Sequence, residues 1–124
     1  MYGAAGVVSG AWGSHGLSAY LGHSNTGAWD TAVQYQLIHA LALLLVGIMM
    51  RLQAPAEHPH DSPSGARLLA IAGWLMIVGV LLFSGSIYLL VLGGPSWLGP
   101  LTPAGGTAFI VAWVCLLIAA LRWP

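Results

Sequence analysis

The sequence predicts an all-α fold, an integral membrane four-helix bundle in a single domain over residues 1–124. Three observations support this prediction: 58% of the 124 residues are hydrophobic, only 5% are charged, and the apolar residues are concentrated in four long runs. Soluble domains carry roughly 25% charged residues, whereas a helix of about 20 mainly apolar residues crosses a bilayer. The composition therefore indicates an integral membrane protein whose helices cross the lipid bilayer.

The four apolar runs define predicted spans at residues 2–21, 29–50, 67–92 and 104–123. Asn25, Thr26 and Gly27 are turn-forming residues, and they predict a turn over residues 22–28 that ends in an N-cap before the second span. The connection 52–66 is rich in proline, serine, acidic residues and histidine, which is typical of a solvated loop.

Residues 97–103 precede the fourth span and contain one glycine and two prolines. These residues break helices, so we predict an interfacial turn across the outer mouth of the bundle. Thr102 is placed as a cap residue, and Pro103 falls in the first helical turn, where its missing N–H is tolerated. Trp29 and Trp97 are positioned as interfacial anchors on this side.

Arginine placement predicts the orientation of the bundle. With four spans, both termini and the loop 52–66 share one side, and Arg51, Arg67 and Arg122 all lie there. Positively charged residues accumulate on the cytoplasmic side of membrane proteins. We therefore expect both termini and this loop in the cytoplasm.

Charge and motif content argue against several functions. The formal net charge is zero, so the chain lacks a basic face for the phosphates of a nucleic acid. Cys115 is the single cysteine and cannot form an internal disulfide. The sequence contains no nucleophile elbow, phosphate-binding loop or pair of carboxylates. We therefore expect no nucleic-acid partner, no enzymatic activity and no bound cofactor.

Small residues form one face on each of two helices. They recur at spacings of three and four, which places them on a single helical face, and such faces let membrane helices approach closely. The two sets are Gly3, Gly6, Gly10 and Gly13 in the first span and Gly105, Ala108, Ala112 and Ala119 in the fourth. We predict packing within one compact bundle, with contact to a second copy or to a larger membrane complex as alternatives.

A further set of residues is polar or aromatic and converges on the outer half of the bundle. It comprises Trp12, His15, Trp29, Tyr35, Gln36, His39, Ser84, Ser86 and Tyr88. Polar side chains are costly in lipid, so they face a partner, a water pocket or a ligand. Tyr35, Gln36 and His39 lie on neighbouring faces of one helix. Helix lengths place His15 and His39 at similar depth, where they are expected to face each other.

This polar cluster allows four interpretations. The first is hydrogen bonding between helices, worth about 0.6 kcal/mol per bond. The others are a pocket for a lipophilic molecule such as a quinone or lipid, a transition-metal or haem site at His15 and His39, and a proton relay through His39. Two histidines without a cysteine or carboxylate are few for a metal centre, so no metal site is predicted.

The loop motif His58-Pro59-His60, flanked by Glu57 and Asp61, also contains metal-ligand residue types. Metal ligands need a preorganised geometry, which a proline-rich loop does not provide. We therefore predict a solvated loop at this position and no metal site.

Four segments of the sequence together resemble a known family. They are residues 12–17 (WGSHGL), 29–42 (WDTAVQYQLIHALA), 83–90 (FSGSIYLL) and 99–106 (GPLTPAGG). Over nearly the whole chain they are similar to the YgdD-like family of small inner-membrane proteins, whose function is not established. The resemblance implies a multi-pass helical protein of the bacterial inner membrane, and it implies no reaction.

From these features we predict a structural or accessory component that docks to a larger membrane complex through its small-residue faces. The alternative is a binding protein for a quinone, a lipid or another lipophilic ligand in the outer half of the bundle. The surroundings of Tyr35 and His39 distinguish the two hypotheses, because only the second requires a cavity beside these side chains.

Overall fold

The computed structural model describes residues 1–17, 20, 23–52 and 64–122, and the regular structure of these residues is entirely helical. The elements are α1 (Tyr2–Trp12), which continues into a π-helical turn (Gly13–Leu17), α2 (His23–Leu52), α3 (Ser64–Val91), a 3-10 turn (Ser96–Leu98) and α4 (Leu101–Leu121). α1 packs on α2, α2 on α3, and α3 on α4. The predicted all-α four-helix bundle is confirmed.

Three of the helical segments are long and apolar enough to cross a membrane. Within the described ranges they are Asn25–Leu52, Gly65–Val91 and Ser96–Leu121. α1 contains 11 residues and is not among them, so the first span, predicted over residues 2–21, stays a prediction.

The start of α2 differs from the sequence prediction. Residues 25–27, predicted as part of a turn, lie inside α2, which begins at His23. Serine, threonine and asparagine favour the first turn of a helix as much as they favour a β-turn, so their composition did not separate the two. The predicted loop 52–66 is also too long, because α2 ends at Leu52 and α3 begins at Ser64. Its motif at His58 and His60 lies outside the described residues.

The connection between α3 and α4 starts with a helix-terminating glycine. Gly93 has a φ of +88°, and the amides of Gly93 and Gly94 donate to the carbonyls of Leu90 (3.1 Å) and Leu89 (2.8 Å). This pattern is a Schellman motif, which closes the last turn of α3.

α4 begins earlier than predicted, at Leu101 instead of residue 104. The prediction that residues 97–103 contain no regular helix is therefore wrong for the last three. Pro103 is the third residue of the helix, and an N–H at that position has no partner within the helix anyway. The predicted cap role of Thr102 is also wrong, because Thr102 is the second residue of α4 and the N-cap is Pro100; the hydroxyl of Thr102 pairs with that of Ser86 at 2.6 Å.

The arginines lie at one end of the bundle. Arg51 is in the last turn of α2, Arg67 is in the first turn of α3, and Arg122 caps the C-terminus of α4. Neighbouring helices run in opposite directions, which brings these three termini to the same side. We name this side the arginine end and the opposite side, with the 3-10 turn, the turn end.

The largest buried cluster lies in the half of the bundle next to the arginine end. It contains aliphatic and alanine side chains of α2, α3 and α4, namely Ala42, Val46, Leu69, Ala72, Met76, Ala112, Leu116 and Ala119. Cys115 packs at its edge. Nearer the turn end, α3 and α4 approach so closely that a Cβ on Gly105 would meet the backbone nitrogen of Phe83 and lie 2.9 Å from the carbonyl oxygen of Gly79.

The glycines of α1 face α2 in antiparallel order. A Cβ on Gly6 would lie 2.8 Å from Leu37, and one on Gly13 would lie 2.5 Å from Trp29. The remaining pairs, with longer distances, are Gly3 with Ala40 (3.9 Å) and Gly10 with Val33 (3.3 Å). The small-residue faces of α1 and α4 therefore pack within the chain.

Candidate ligand-binding groove

Gln36 connects three helices through its amide group. Its Nε2 donates to the carbonyl oxygen of Tyr2 in α1 at 2.9 Å, and its Oε1 accepts from the hydroxyl of Tyr88 in α3 at 2.8 Å. The side chain is buried, with 5% of its surface exposed. Nearer the turn end, Trp29 Nε1 donates to the carbonyl oxygen of Ser9 at 2.9 Å. Both bonds to α1 use backbone acceptors and fix its position along α2.

Two buried serines of α3 form hydrogen bonds to the two helices that flank it, α2 and α4. Ser84 Oγ donates to the carbonyl oxygen of Ala32 in α2 at 2.7 Å. Ser86 Oγ bonds to Thr102 Oγ1 in α4 and also donates to the carbonyl oxygen of Phe83 at 3.0 Å. A polar group buried in an apolar environment needs such a partner. In this part of the cluster, the side chains bond helix to helix.

His15 and Trp12 lie at the edge of the cluster. The Trp12 ring is half exposed and packs edge-on to Trp29 at 5.5 Å, and His15 is exposed on the π-helical turn. The expected facing of His15 and His39 is not found. Gly13 packs on Trp29, which is ten residues, or about 15 Å, from His39 along α2. The structure places the two imidazoles at different depths.

His39 lies in the middle of α2 with both ring nitrogens hydrogen-bonded. Nδ1 is 2.7 Å from the carbonyl oxygen of Tyr35, and Trp113 Nε1 donates to Nε2 at 3.2 Å. A carbonyl only accepts and an indole N–H only donates, so Nδ1 must carry the proton and Nε2 must accept. These two partners select the neutral Nδ1–H tautomer.

We expect His39 to be observed as this tautomer by NMR. In protein labelled with ¹⁵N-histidine, the ring of His39, assigned from its loss in His39→Gln, should show a protonated Nδ1 and an unprotonated Nε2. Trp113→Phe removes the donor to Nε2 and should shift that resonance, whereas Trp97→Phe, which changes an exposed tryptophan at the turn end, should not. A protonated Nε2 in the unaltered protein contradicts the assignment.

A groove of about 660 Å³ lies beside His39, between α2, α3 and α4. Aromatic rings form much of its wall, and smaller residues of α4 complete it. The lining residues are Tyr35, His39, Phe83, Pro103, Gly106, Thr107, Phe109, Ile110, Trp113 and Val114. The groove is open on one side, towards the surface that faces the bilayer if the three apolar helices span it.

The rings of the groove pack face against face. The His39 imidazole stacks on Phe109 with ring centroids 3.5 Å apart, and Tyr35 stacks on Phe83 at 4.6 Å. Tyr35 is 39% exposed, and its hydroxyl has no hydrogen-bond partner within the described residues. Tyr35 and His39 are the members of the predicted cluster that line the groove.

The sequence prediction did not identify Phe83, Phe109 and Trp113 as site residues. Phe109 and Trp113 are four apart on α4 and so share a face, which was the available signal. Alanine and glycine on the neighbouring face of α4 directed the prediction towards helix packing instead. Within the described ranges, no three His, Cys, Asp or Glu side chains lie close enough together to hold a metal ion.

Comparison with known proteins identifies relatives of the whole chain. A family described as "Protein of unknown function (DUF423)" matches residues 9–106. The UPF0382 membrane protein YwdK of Bacillus subtilis is 40% identical over 117 residues, covering 94% of this chain and 87% of the relative. The UPF0382 membrane protein SAB0533 of Staphylococcus aureus is 37% identical over 119 residues, with 94% and 86% covered. No solved structure matches the chain.

These relatives support the predicted membership in a membrane-protein family of unknown function, but not the YgdD-like family in particular. They are named as membrane proteins, and the matching family is described as of unknown function, as the resemblance implied. The names DUF423 and UPF0382 differ from the YgdD-like family, and that more specific relationship is not shown.

Proposed function

The chain belongs to the DUF423 family, and we propose that it is a multi-pass membrane protein that binds a lipophilic molecule in the groove between α2, α3 and α4. The observation that carries this proposal is the aromatic wall formed by Tyr35, His39, Phe83 and Phe109 beside an open volume of about 660 Å³. Volumes of this size are typical of small-molecule sites with mainly apolar walls and a few polar groups.

The wall chemistry favours a ligand with a flat ring. Stacked aromatic side chains offer ring faces and edges, which prefer offset or edge-on contact with another ring. His39 is committed to Tyr35 and Trp113, whereas the Tyr35 hydroxyl is free to donate. An oxygen acceptor on the ligand therefore pairs with Tyr35. A quinone combines a flat ring, carbonyl acceptors and an apolar tail that extends into lipid, so it fits this arrangement better than a plain acyl chain.

The other predicted role, docking to a larger complex, was based on exposed small-residue faces of α1 and α4. The glycine face of α1 packs on α2, and Gly105, Ala112 and Ala119 of α4 are buried within the chain. A partner protein must therefore use another surface. The placement in the bacterial inner membrane, with the arginine end in the cytoplasm, remains part of the proposal and is supported by the arginine distribution.

Filling the groove should abolish ligand binding. A methyl at Gly106 has room, because its nearest neighbour is the Phe83 ring at 3.9 Å, so Gly106→Leu extends into the groove without a backbone clash. After incubation with decylubiquinone and gel filtration in mild detergent, the unaltered protein should retain the quinone at close to one per chain. Gly106→Leu should retain less than a tenth of that amount, measured by mass spectrometry of the extract.

Gly85→Leu is the matched control, because a Cβ at Gly85 meets nothing within 4 Å and Gly85 does not line the groove. It should retain the quinone as the unaltered protein does. Tyr35→Phe keeps the ring and removes the donor, which should weaken binding by roughly tenfold. Equal retention by the two leucine variants, or no retention by the unaltered protein, contradicts the proposed site.

A further inference from the structure

A second groove follows α2 in the half of the bundle next to the arginine end, bordered by the start of α1 and by α3. It consists of two adjoining cavities of about 360 and 220 Å³, which share Leu43 and Ile77. Met1 borders the larger cavity, and Gly47 and Trp74 border the smaller one. Its walls are mainly aliphatic, in contrast to the aromatic groove beside His39.

This groove continues the surface of α2 that α1 covers. The contacts of α1 follow α2 from Trp29 to Ala40. Leu44 lies four residues after Ala40 and Gly47 three residues after Leu44, so both lie on the same face of α2. Leu44 is 62% exposed, and a Cβ at Gly47 meets nothing within 4 Å. The described contacts of α1 with this face end at Ala40, and Leu44 and Gly47 are exposed beyond it.

Two arginines lie one to two helical turns beyond residues of the groove, towards the arginine end. Arg51 follows Gly47 by one turn of α2, and Arg67 precedes Trp74 by two turns of α3, so each shares a face with a groove residue. Both arginines are exposed, and neither has a salt bridge to another residue of the described chain. Both positive charges of these helix ends therefore lie on the same side of the aliphatic groove.

We propose that this groove binds an anionic phospholipid, with one acyl chain between α2 and α3 and the phosphate at Arg51 and Arg67. The length agrees: from Arg51 to Leu43 is eight residues, or about 12 Å, close to half of a hydrocarbon core about 30 Å thick. Guanidinium groups bind phosphate oxygens through paired donors, and basic pockets between spanning helices favour anionic headgroups. In the predicted orientation, this lipid belongs to the cytoplasmic leaflet.

Trp74 provides the measurement, because it borders the groove and is 69% exposed. The full chain is reconstituted in phosphatidylcholine bilayers containing about one-tenth phosphatidylglycerol, with brominated acyl chains on one lipid at a time. Bromine quenches tryptophan on contact, and the signal of Trp74 is the difference between the unaltered protein and Trp74→Phe. The site should prefer phosphatidylglycerol over phosphatidylcholine on the order of tenfold, so that the two brominated lipids quench Trp74 to similar extents although phosphatidylcholine is in large excess.

The preference for phosphatidylglycerol should disappear in the double variant Arg51→Gln/Arg67→Gln and persist in Arg122→Gln, which removes the arginine at the end of α4 instead. Inorganic phosphate at millimolar concentration should not compete, since it lacks the acyl chain. Quenching by the two brominated lipids in proportion to their mole fractions in the unaltered protein overturns the proposal, as does an equal loss of preference in Arg122→Gln or displacement by inorganic phosphate alone. A failure of quinone binding in the other groove leaves this result unaffected.

Discussion

Gly105→Ala is expected to destabilise the bundle by about 3 kcal/mol, the upper end of the range for an added methyl group in a well-packed site. The added Cβ meets the backbone nitrogen of Phe83 and the carbonyl oxygen of Gly79. Backbone atoms in a helix cannot rotate away as the end of a side chain can, so α3 and α4 have to separate. That separation loses close packing, which is a main source of association between helices in lipid.

The neighbouring glycine is the control for this prediction. A Cβ on Gly106 makes only an ordinary contact with the Phe83 ring at 3.9 Å, and alanine is favoured over glycine in a helix by up to about 1 kcal/mol. Gly106→Ala should therefore unfold at the same temperature as the unaltered protein or slightly higher, measured in detergent by tryptophan fluorescence. If Gly105→Ala and Gly106→Ala unfold at the same temperature, α3 and α4 are further apart than the structure places them.

Much of the architecture follows from local properties of the sequence. Low charge and long apolar runs identified the membrane helices, and the glycine spacing of α1 identified the face that packs on α2. The helix ends were harder to predict, because the residues involved suit two structures. Asn25 and Thr26 fit a turn or a first helical turn, and Pro103 fits a break or the start of a helix.

The candidate site was predictable only for its polar members. Gln36 and His39 stand out in an apolar helix because a buried polar group requires a partner. Phe83, Phe109 and Trp113 do not stand out, since aromatic side chains occur equally on surfaces that face lipid and on surfaces that face protein. Their assembly into one wall depends on how α3 and α4 rotate about their axes, and the small residues Gly79 and Gly105 determine that contact only once both helices are in place.

Gln36→Leu is expected to lower stability by about 2 to 4 kcal/mol, although leucine is the more hydrophobic residue. The substitution removes two hydrogen bonds between helices, each worth about 0.6 kcal/mol on average. It also leaves the Tyr88 hydroxyl, which donates to Gln36 Oε1, with Ser9 as its remaining side-chain partner, so the further cost lies towards the lower end of about 1 to 3 kcal/mol. Gln34→Leu, a change two residues away at an exposed position of the same helix, should leave the unfolding temperature unchanged or raise it.

Tyr88→Phe distinguishes two contributions to the cost of Gln36→Leu: the Tyr88 hydroxyl that has lost its acceptor, and the hydrogen bonds that Gln36 no longer makes. By itself Tyr88→Phe removes one hydrogen bond and leaves the buried Oε1 of Gln36 without its donor, which should cost about 1 to 3 kcal/mol. In the Gln36→Leu background it removes a hydroxyl that has already lost this acceptor, and it should cost little. The double variant should therefore be more stable than the sum of the single effects predicts, by at least about 1 kcal/mol, since independent sites add to within about 0.5 kcal/mol. Additive effects mean that Gln36 stabilises α1 alone, through Tyr2. A positive coupling means that one amide group holds α1, α2 and α3 together, and the position of α1 then depends on α3 as well as on α2.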